Sequence, residues 1–220
     1  MNQSNVVRTK QEDTWRGQFG KEYSERNRLD AHDLDRSYEA KYGIRRSALN
    51  QFFLSKLPKS TTILEVGCNL GNQLILLHEM GFENLTGIEI NEAIAQAAQA
   101  RVPWAVVRQG SALQIPFADE SFECVFTSGL LIHINPQDLA GVMKEIHRCS
   151  KQWIWGFEYY SPSIREVPYR GNDNLLWKAD YSQLYLENSA DLELIAERKV
   201  PYLDSENVDS MFLLRKKGRS

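Results

Sequence analysis

Hydrophobic and polar positions along this 220-residue chain alternate between two periods. Short β-branched, apolar runs occur at 61–66, 85–90, 104–109, 122–127 and 153–158. Between them lie segments whose apolar positions recur every three or four residues. The runs read as strands and the spaced segments as helices. Helices are predicted over 42–57, ended by Pro58; over 73–80; over 92–101, capped by Asn91 and stopped by Pro103; from Asn135-Pro136 to about 148; and over 179–188. Two last strands, 192–200 and 208–216, are joined only by 201–207, too short for a helical crossover, so they pair antiparallel. Residues 159–178, rich in Tyr, Pro and Gly, fit no regular element. Residues 1–13 read as a disordered or loosely docked tail, and 14–36 as an aromatic, charged arm. Strands alternating with helices predict an α/β, doubly wound sheet.

The connection after the first strand is the most informative. Ile63-Leu64-Glu65-Val66 runs into Gly67-Cys68-Asn69-Leu70-Gly71 and then directly into a helix. Gly67 permits a turn where a β-carbon would clash, and Gly71 lets the helix pack closely on the strand. The second strand ends in Glu89, 24 residues after Glu65, about one βαβ unit later. An ionised carboxylate only accepts hydrogen bonds, so Glu89 suits a pair of ribose hydroxyls. A glycine turn, a helix, a second strand and an acid form the architecture that holds a nucleoside-bearing cofactor over the carboxyl edge of a parallel sheet.

Charge and cysteine content narrow the class. The chain is 42% hydrophobic and 25% charged, with a net charge of −3. That balance gives no general electrostatic grip on nucleic acid. Three cysteines, Cys68, Cys124 and Cys149, form no CxxC pair, which excludes a zinc or disulfide framework and fits a reducing, cytoplasmic setting. No apolar run reaches membrane-spanning length. The expected partner is a small molecule, with no metal, no nucleic acid and no membrane, in a monomer or homodimer.

Four segments together resemble the class I S-adenosylmethionine-dependent methyltransferases: Ile63 to Cys68, Gly87-Ile88-Glu89, Ile115 to Phe122, and Leu131-Ile132-His133-Ile134. The resemblance spans about 44–215. It implies a Rossmann-like, seven-stranded, mostly parallel sheet with an antiparallel last strand and helices on both faces. Residues 1–43 would be an N-terminal arm and lid, and 44–220 the cofactor-binding domain. A narrower resemblance rests on Trp15 to Tyr23, Arg26-Asn27, Glu65 to Asn69, Leu131 to Pro136, Glu158-Tyr159-Tyr160 and Pro168 to Gly171. These look like the methylases associated with pseudaminic acid biosynthesis, which implies an acceptor in bacterial glycan synthesis, a nonulosonic acid or nucleotide sugar. Carried onto this chain, the resemblance implies cofactor contacts at Glu65, Gly67, Cys68, Asn69, Gly71, Glu89, Ile90, Ser111, Ala112 and Ser128. Two positions depart from the broad pattern. Asn69 replaces the middle glycine, but Asn tolerates positive φ. Ser111 stands where an aspartate is common, and its hydroxyl is a weaker acceptor for an adenine amino group.

Methyl transfer from a sulfonium is a direct displacement that asks the protein for alignment and exclusion of water. His133, just past the fourth strand, is the candidate base, or alternatively a residue that holds its loop. Glu158 and Tyr159 at the end of the fifth strand are the other catalytic candidates. Trp15, Tyr23, Tyr160, Tyr169 and Arg170 are candidates for the acceptor, with Arg170 suited to a carboxylate or phosphate. Two rivals remain: a non-catalytic S-adenosylmethionine sensor and a nicotinamide-dependent oxidoreductase. Glu65 before the turn and the antiparallel last strand argue against the second.

Overall fold

The computed structural model describes residues 9–218. The N-terminal arm is helical: α1 (Lys10–Arg16), α2 (Gln18–Arg26) and α3 (Ala31–Tyr42), followed by α4 (Arg46–Leu54). The expected tail is therefore corrected over 10–13, which belong to α1; residues 1–8 lie outside the described residues. Thr9 and Glu12 form a reciprocal capping box that starts α1. The single helix expected over 42–57 is also corrected. Gly43 takes a left-handed φ of 70° and ends α3, so a second helix starts only at Arg46.

The domain proper alternates β1 (Ile63–Val66), α5 (Asn72–Glu79), β2 (Leu85–Glu89), α6 (Glu92–Arg101), β3 (Val106–Gln109), β4 (Phe122–Ser128), α7 (Pro136–Cys149) and β5 (Ser150–Tyr159). The stretch expected to lack regular structure instead contains a small hairpin of β6 (Arg165–Glu166) and β7 (Trp177–Lys178). Then come α8 (Tyr181–Asn188), β8 (Leu192–Pro201) and β9 (Val208–Lys216). Asn91 and Asn135 cap α6 and α7 as their positions predicted.

Seven strands form one sheet in the order β3-β2-β1-β4-β5-β9-β8. β1 pairs in parallel with both β2 and β4, and β9 runs antiparallel to β5 and β8. This is the expected seven-stranded Rossmann-like sheet. Alternate residues of its strands serve opposite faces. Phe126, Met211 and Leu213 join Leu49, Phe53, Leu74 and Ala98 in one apolar cluster. Val125, Phe212 and Leu214 join Leu139, Val142, Ile146 and Tyr185 in the other. Chain order reverses at β1, between β2 and β4, and a crevice opens at such a switch point beyond the carboxyl ends of the strands. No helix among the described residues is long and apolar enough to cross a membrane.

Candidate active site

A cavity of about 370 Å³ fills that crevice. Its floor is the turn after β1. Gly67 and Gly71 both take φ of 76°, and Asn69 takes 47°, so asparagine does occupy a left-handed position here. The N–H groups of Gly67 and Cys68 both donate to the Ile88 carbonyl at 2.9 Å, locking the turn to β2. Glu89, at the end of β2, accepts the Asn69 N–H and the Asn91 N–H at 3.0 Å each. Burial raises its pKa, and these amide bonds oppose the rise. Each carboxylate oxygen keeps a further lone pair for a ligand.

Three buried acceptors near the end of β1 have no partner: Glu65 Oε2, Asn69 Oδ1 and Gln73 Oε1. All three residues line the cavity. Burial pushes the Glu65 carboxyl well above its usual range, against the pull of the buried Arg46 guanidinium. Unpartnered buried acceptors are costly, and an ammonium group set among them would both satisfy them and favour the charged acid.

The loop after β4 carries His133 in a short 3₁₀ turn, Leu131–His133. His133 is 6% exposed, and its Nδ1 lies 2.7 Å from the Leu175 carbonyl. Its ring meets Trp15 at 4.5 Å and Tyr169 at 5.3 Å between centroids. Burial lowers its pKa to about 4. Beneath the loop, the Glu158 carboxylate accepts the N–H of Leu130 at 3.2 Å and of Ile132 at 3.4 Å. Burial raises the pKa of Glu158 to about 7.

The far end of the cavity has an aromatic and polar wall. Tyr38, Lys41, Tyr42, Phe157, Tyr159 and Asp209 line it. Asp209 accepts hydrogen bonds from the hydroxyls of Tyr42 and Tyr202. Lys41 Nζ lies 4.1 Å from the Tyr202 ring centroid, 5.0 Å from Tyr42 and 5.5 Å from Tyr159. Burial lowers the Lys41 pKa, although Asp209 and Asp204 pull the other way.

The sequence-predicted residues divide accordingly. Glu65, Gly67, Cys68, Asn69, Glu89, Ile90, Ser111, Ala112, Ser128, His133, Tyr159, Trp15, Tyr23 and Tyr169 share the cavity wall. Four do not line it. Gly71 starts α5 against Val102. Glu158 is sealed under the 130–132 amides and is 1% exposed, so it supports the loop instead of facing an acceptor. Tyr160 lies under the Lys199 ammonium, 3.5 Å from its ring centroid. Arg170 is exposed at the tip of the Tyr169–Asn172 bridge, with a left-handed φ of 52°. Sequence reasoning missed Glu12, Lys41 and Asp209. Glu12 carried a legible signal, because Thr9 and Glu12 have capping-box spacing. Lys41 and Asp209 carried none. Among the described residues there is no group of three or more His, Cys, Asp or Glu side chains able to hold a metal ion.

Residues 64–152 match a family model described as a methyltransferase domain. An uncharacterised methyltransferase of Synechocystis sp. is 28% identical over 89 residues, 40% of this chain and 42% of that protein, so the match spans less than half of the relative. Among solved structures, the Burkholderia thailandensis 1,6-didemethyltoxoflavin-N1-methyltransferase, with bound 1,6-didemethyltoxoflavin and S-adenosylhomocysteine, superposes with a TM-score of 0.70 at 15% identity, covering 97% of this chain and 92% of that one. A SAM-dependent methyltransferase from Methanosarcina mazei gives 0.61 at 16% identity, covering 74% and 95%. The PH0226 protein of Pyrococcus horikoshii OT3 gives 0.63 at 18%, covering 83% and 90%. At such identities the likeness is one of fold.

The residues lining the cavity fit S-adenosylmethionine, the cofactor that the sequence resemblance implies. The unpartnered acceptors Glu65, Asn69 and Gln73 suit its α-ammonium group. Glu89 suits the ribose hydroxyls. The turn between them, kept open by Gly67, leaves room for the chain that joins the two.

Proposed function

We propose that this protein methylates a small, sugar-derived acceptor at the expense of S-adenosylmethionine, in the cytoplasm and within bacterial glycan biosynthesis. The observation that carries the reading is the two-ended cavity. Unpartnered acceptors and Glu89 lie at the β1–β2 end, and a wall of tyrosines, Lys41 and Asp209 lies at the β5–β9 end. When bound, S-adenosylmethionine supplies an electrophilic methyl group on a sulfonium.

The chain's own residues supply alignment and seclusion. His133 must carry its proton on Nδ1, because the Leu175 carbonyl can only accept. Nε2 is then the ring's acceptor, available to orient the acceptor's hydroxyl or amine. A pKa of about 4 makes it a weak base, so its contribution is direction more than proton storage. Burial raises the Tyr159 phenol pKa, which keeps that group a hydrogen-bond donor. Glu158 fixes the 130–132 backbone that carries His133. Tyrosine faces and hydroxyls, with one acid and one ammonium, suit a ring bearing many hydroxyls. Lys41 makes no hydrogen bond or ion pair with another described side chain, and it takes over the role expected of Arg170 for an acceptor's carboxylate or phosphate.

The test has two stages. Calorimetry with S-adenosylhomocysteine is expected to give micromolar binding, weakened roughly 100-fold in Glu89→Ala, which removes two charge-assisted bonds. Incubation with radiolabelled cofactor and a panel of nonulosonic acids and nucleotide sugars is then expected to label an acceptor. Tight cofactor binding with no label on any member would replace the sugar reading with a sensor or a different acceptor class.

A further inference from the structure

The N-terminal arm brings a carboxyl group into the cofactor end of the cavity. Glu12, on α1, lines the cavity and is only 7% exposed. Its Oε2 accepts the Thr9 N–H at 3.1 Å, the bond that a helix cap needs. Its Oε1 accepts the hydroxyl of Ser111, in the turn just after β3. Ser111 Oγ in turn accepts the Leu113 N–H at 3.1 Å. No ion pair joins Glu12 to any described cation. A capping box requires none of this burial, so the cap does not explain why a carboxyl group is held against the wall after β3. The arm is fastened nearby: Asn91 Nδ2 donates to the Arg16 carbonyl at 2.8 Å.

The direction of the cofactor follows from the sheet order. The unpartnered acceptors Glu65 and Gln73 lie at the β1 end, and Glu89 lies at the end of β2. The base, on the other side of the ribose, must extend outward toward β3. There the Ser111 hydroxyl is already spent on Glu12, which leaves the carboxyl oxygens as the strongest acceptors.

We propose that Glu12 accepts the exocyclic amino group of adenine, with Ser111 positioning it, so that the N-terminal arm itself selects the base. The assignment rests on S-adenosylmethionine being the cofactor. It makes the arm part of the binding site, and it replaces the Ser111–adenine contact expected from the sequence. A 6-oxo purine presents an acceptor in place of that donor and faces the carboxyl group without a shared proton.

The test is calorimetric titration of the full chain and of Glu12→Gln with S-adenosylhomocysteine and with S-inosylhomocysteine, its 6-oxo counterpart. Glutamine keeps the cap, since its oxygen can take the Thr9 N–H while its amide faces Ser111. The unmodified chain is expected to prefer the adenine ligand roughly tenfold or more, the scale of one hydrogen bond to a charged group. Glu12→Gln is expected to bring that ratio close to one, by weakening the adenine ligand and sparing or improving the 6-oxo ligand. A partly unfolded preparation removes sites for both ligands alike and leaves the ratio of affinities untouched. Equal weakening of both ligands, or an unchanged ratio, overturns the assignment and makes Glu12 a clasp for α1. Failure of the unmodified chain to bind S-adenosylhomocysteine at all overturns the cofactor along with it, a different pattern from the loss of Glu12 alone.

Discussion

His133 and Leu175 are joined by a 2.7 Å hydrogen bond between imidazole Nδ1 and a backbone carbonyl, across 42 positions of sequence. The bond ties the loop after β4 to the segment leading into β7. It also fixes the tautomer of the one histidine that lines the cavity. Trp15 and Tyr169 pack against the same ring, so arm, loop and hairpin converge on it.

Replacing His133 with alanine is therefore expected to lower turnover by about 100-fold, the usual scale for a positioned acid–base or orienting group. Binding of S-adenosylhomocysteine should change by less than about threefold, since the ribose and ammonium contacts proposed above belong to Glu89 and to the turn after β1. Steady-state kinetics beside calorimetry separates the two. A large loss of cofactor affinity with intact turnover would make His133 a binding residue.

Glu158 and His133 oppose one another in pH. Burial raises Glu158 from 4.5 to about 7, so its contribution to stability is complete below pH 4.5 and is lost as pH rises through about 7. Burial lowers His133 from 6.5 to about 4, so its contribution is complete above pH 6.5 and is lost as pH falls through about 4. Each amounts to about 3 kcal/mol, and in the intact chain the two largely cancel between pH 4.5 and 6.5. Glu158→Gln should unmask the histidine and make stability fall more steeply with acid than in the parent. His133→Asn should unmask the glutamate and make stability fall as pH rises. Urea midpoints at pH 4.5, 5.5 and 7 decide it, and parallel pH profiles for both variants and the parent would contradict the burial argument. Asp209, raised by burial to about 6, is common to all three proteins and drops out of the differences.

What the sequence made legible was periodic or local. Strands, the glycine turn, Asn69 in a left-handed position and the two asparagine caps follow from residues within a few positions of one another. The misplacements have geometric causes. Glu158 and Tyr159 are neighbours on β5, yet a strand turns successive side chains to opposite faces, so one lies under the loop and the other in the cavity. Arg170 has apt chemistry, but its turn carries it into solvent. The residues that sequence reasoning passed over depend on distant partners. Glu12 meets Ser111 across 99 positions, and Tyr42 meets Asp209 across 167. Composition and spacing hold no record of such encounters.

Lys41 is the sharpest handle on the acceptor. Lys41→Met keeps the aliphatic stem that lies among Tyr42, Tyr159 and Tyr202 and removes the charge. If an anionic group of the acceptor pairs with the ammonium, KM for the acceptor should rise about tenfold or more, with kcat and cofactor affinity little changed. An acceptor analogue lacking the carboxylate or phosphate should show no difference between the two proteins. A uniform loss against both acceptors would assign Lys41 to packing alone.

Gly156 and Phe212 face one another across the β5–β9 pair. A β-carbon at 156 would lie 2.2 Å from Phe212 Cζ, with two further ring atoms at 2.6 and 2.9 Å. The ring cannot withdraw, being 1% exposed and packed near Tyr185. Gly156→Ala should therefore cost about 3 kcal/mol or more by overpacking. For a chain of this size that corresponds to a Tm lowered by roughly 6–12 °C in a calorimetric melt. Because β5 carries Phe157 and Tyr159 into the aromatic wall of the cavity, the proposed turnover should fall as well, with cofactor affinity better preserved. The pairing with Leu at 212 decides the mechanism: Phe212→Leu removes the ring tip that clashes, so the double variant should melt well above the sum of the two single losses. Strict additivity would mean that the glycine is needed for its backbone and not for the space that Phe212 fills.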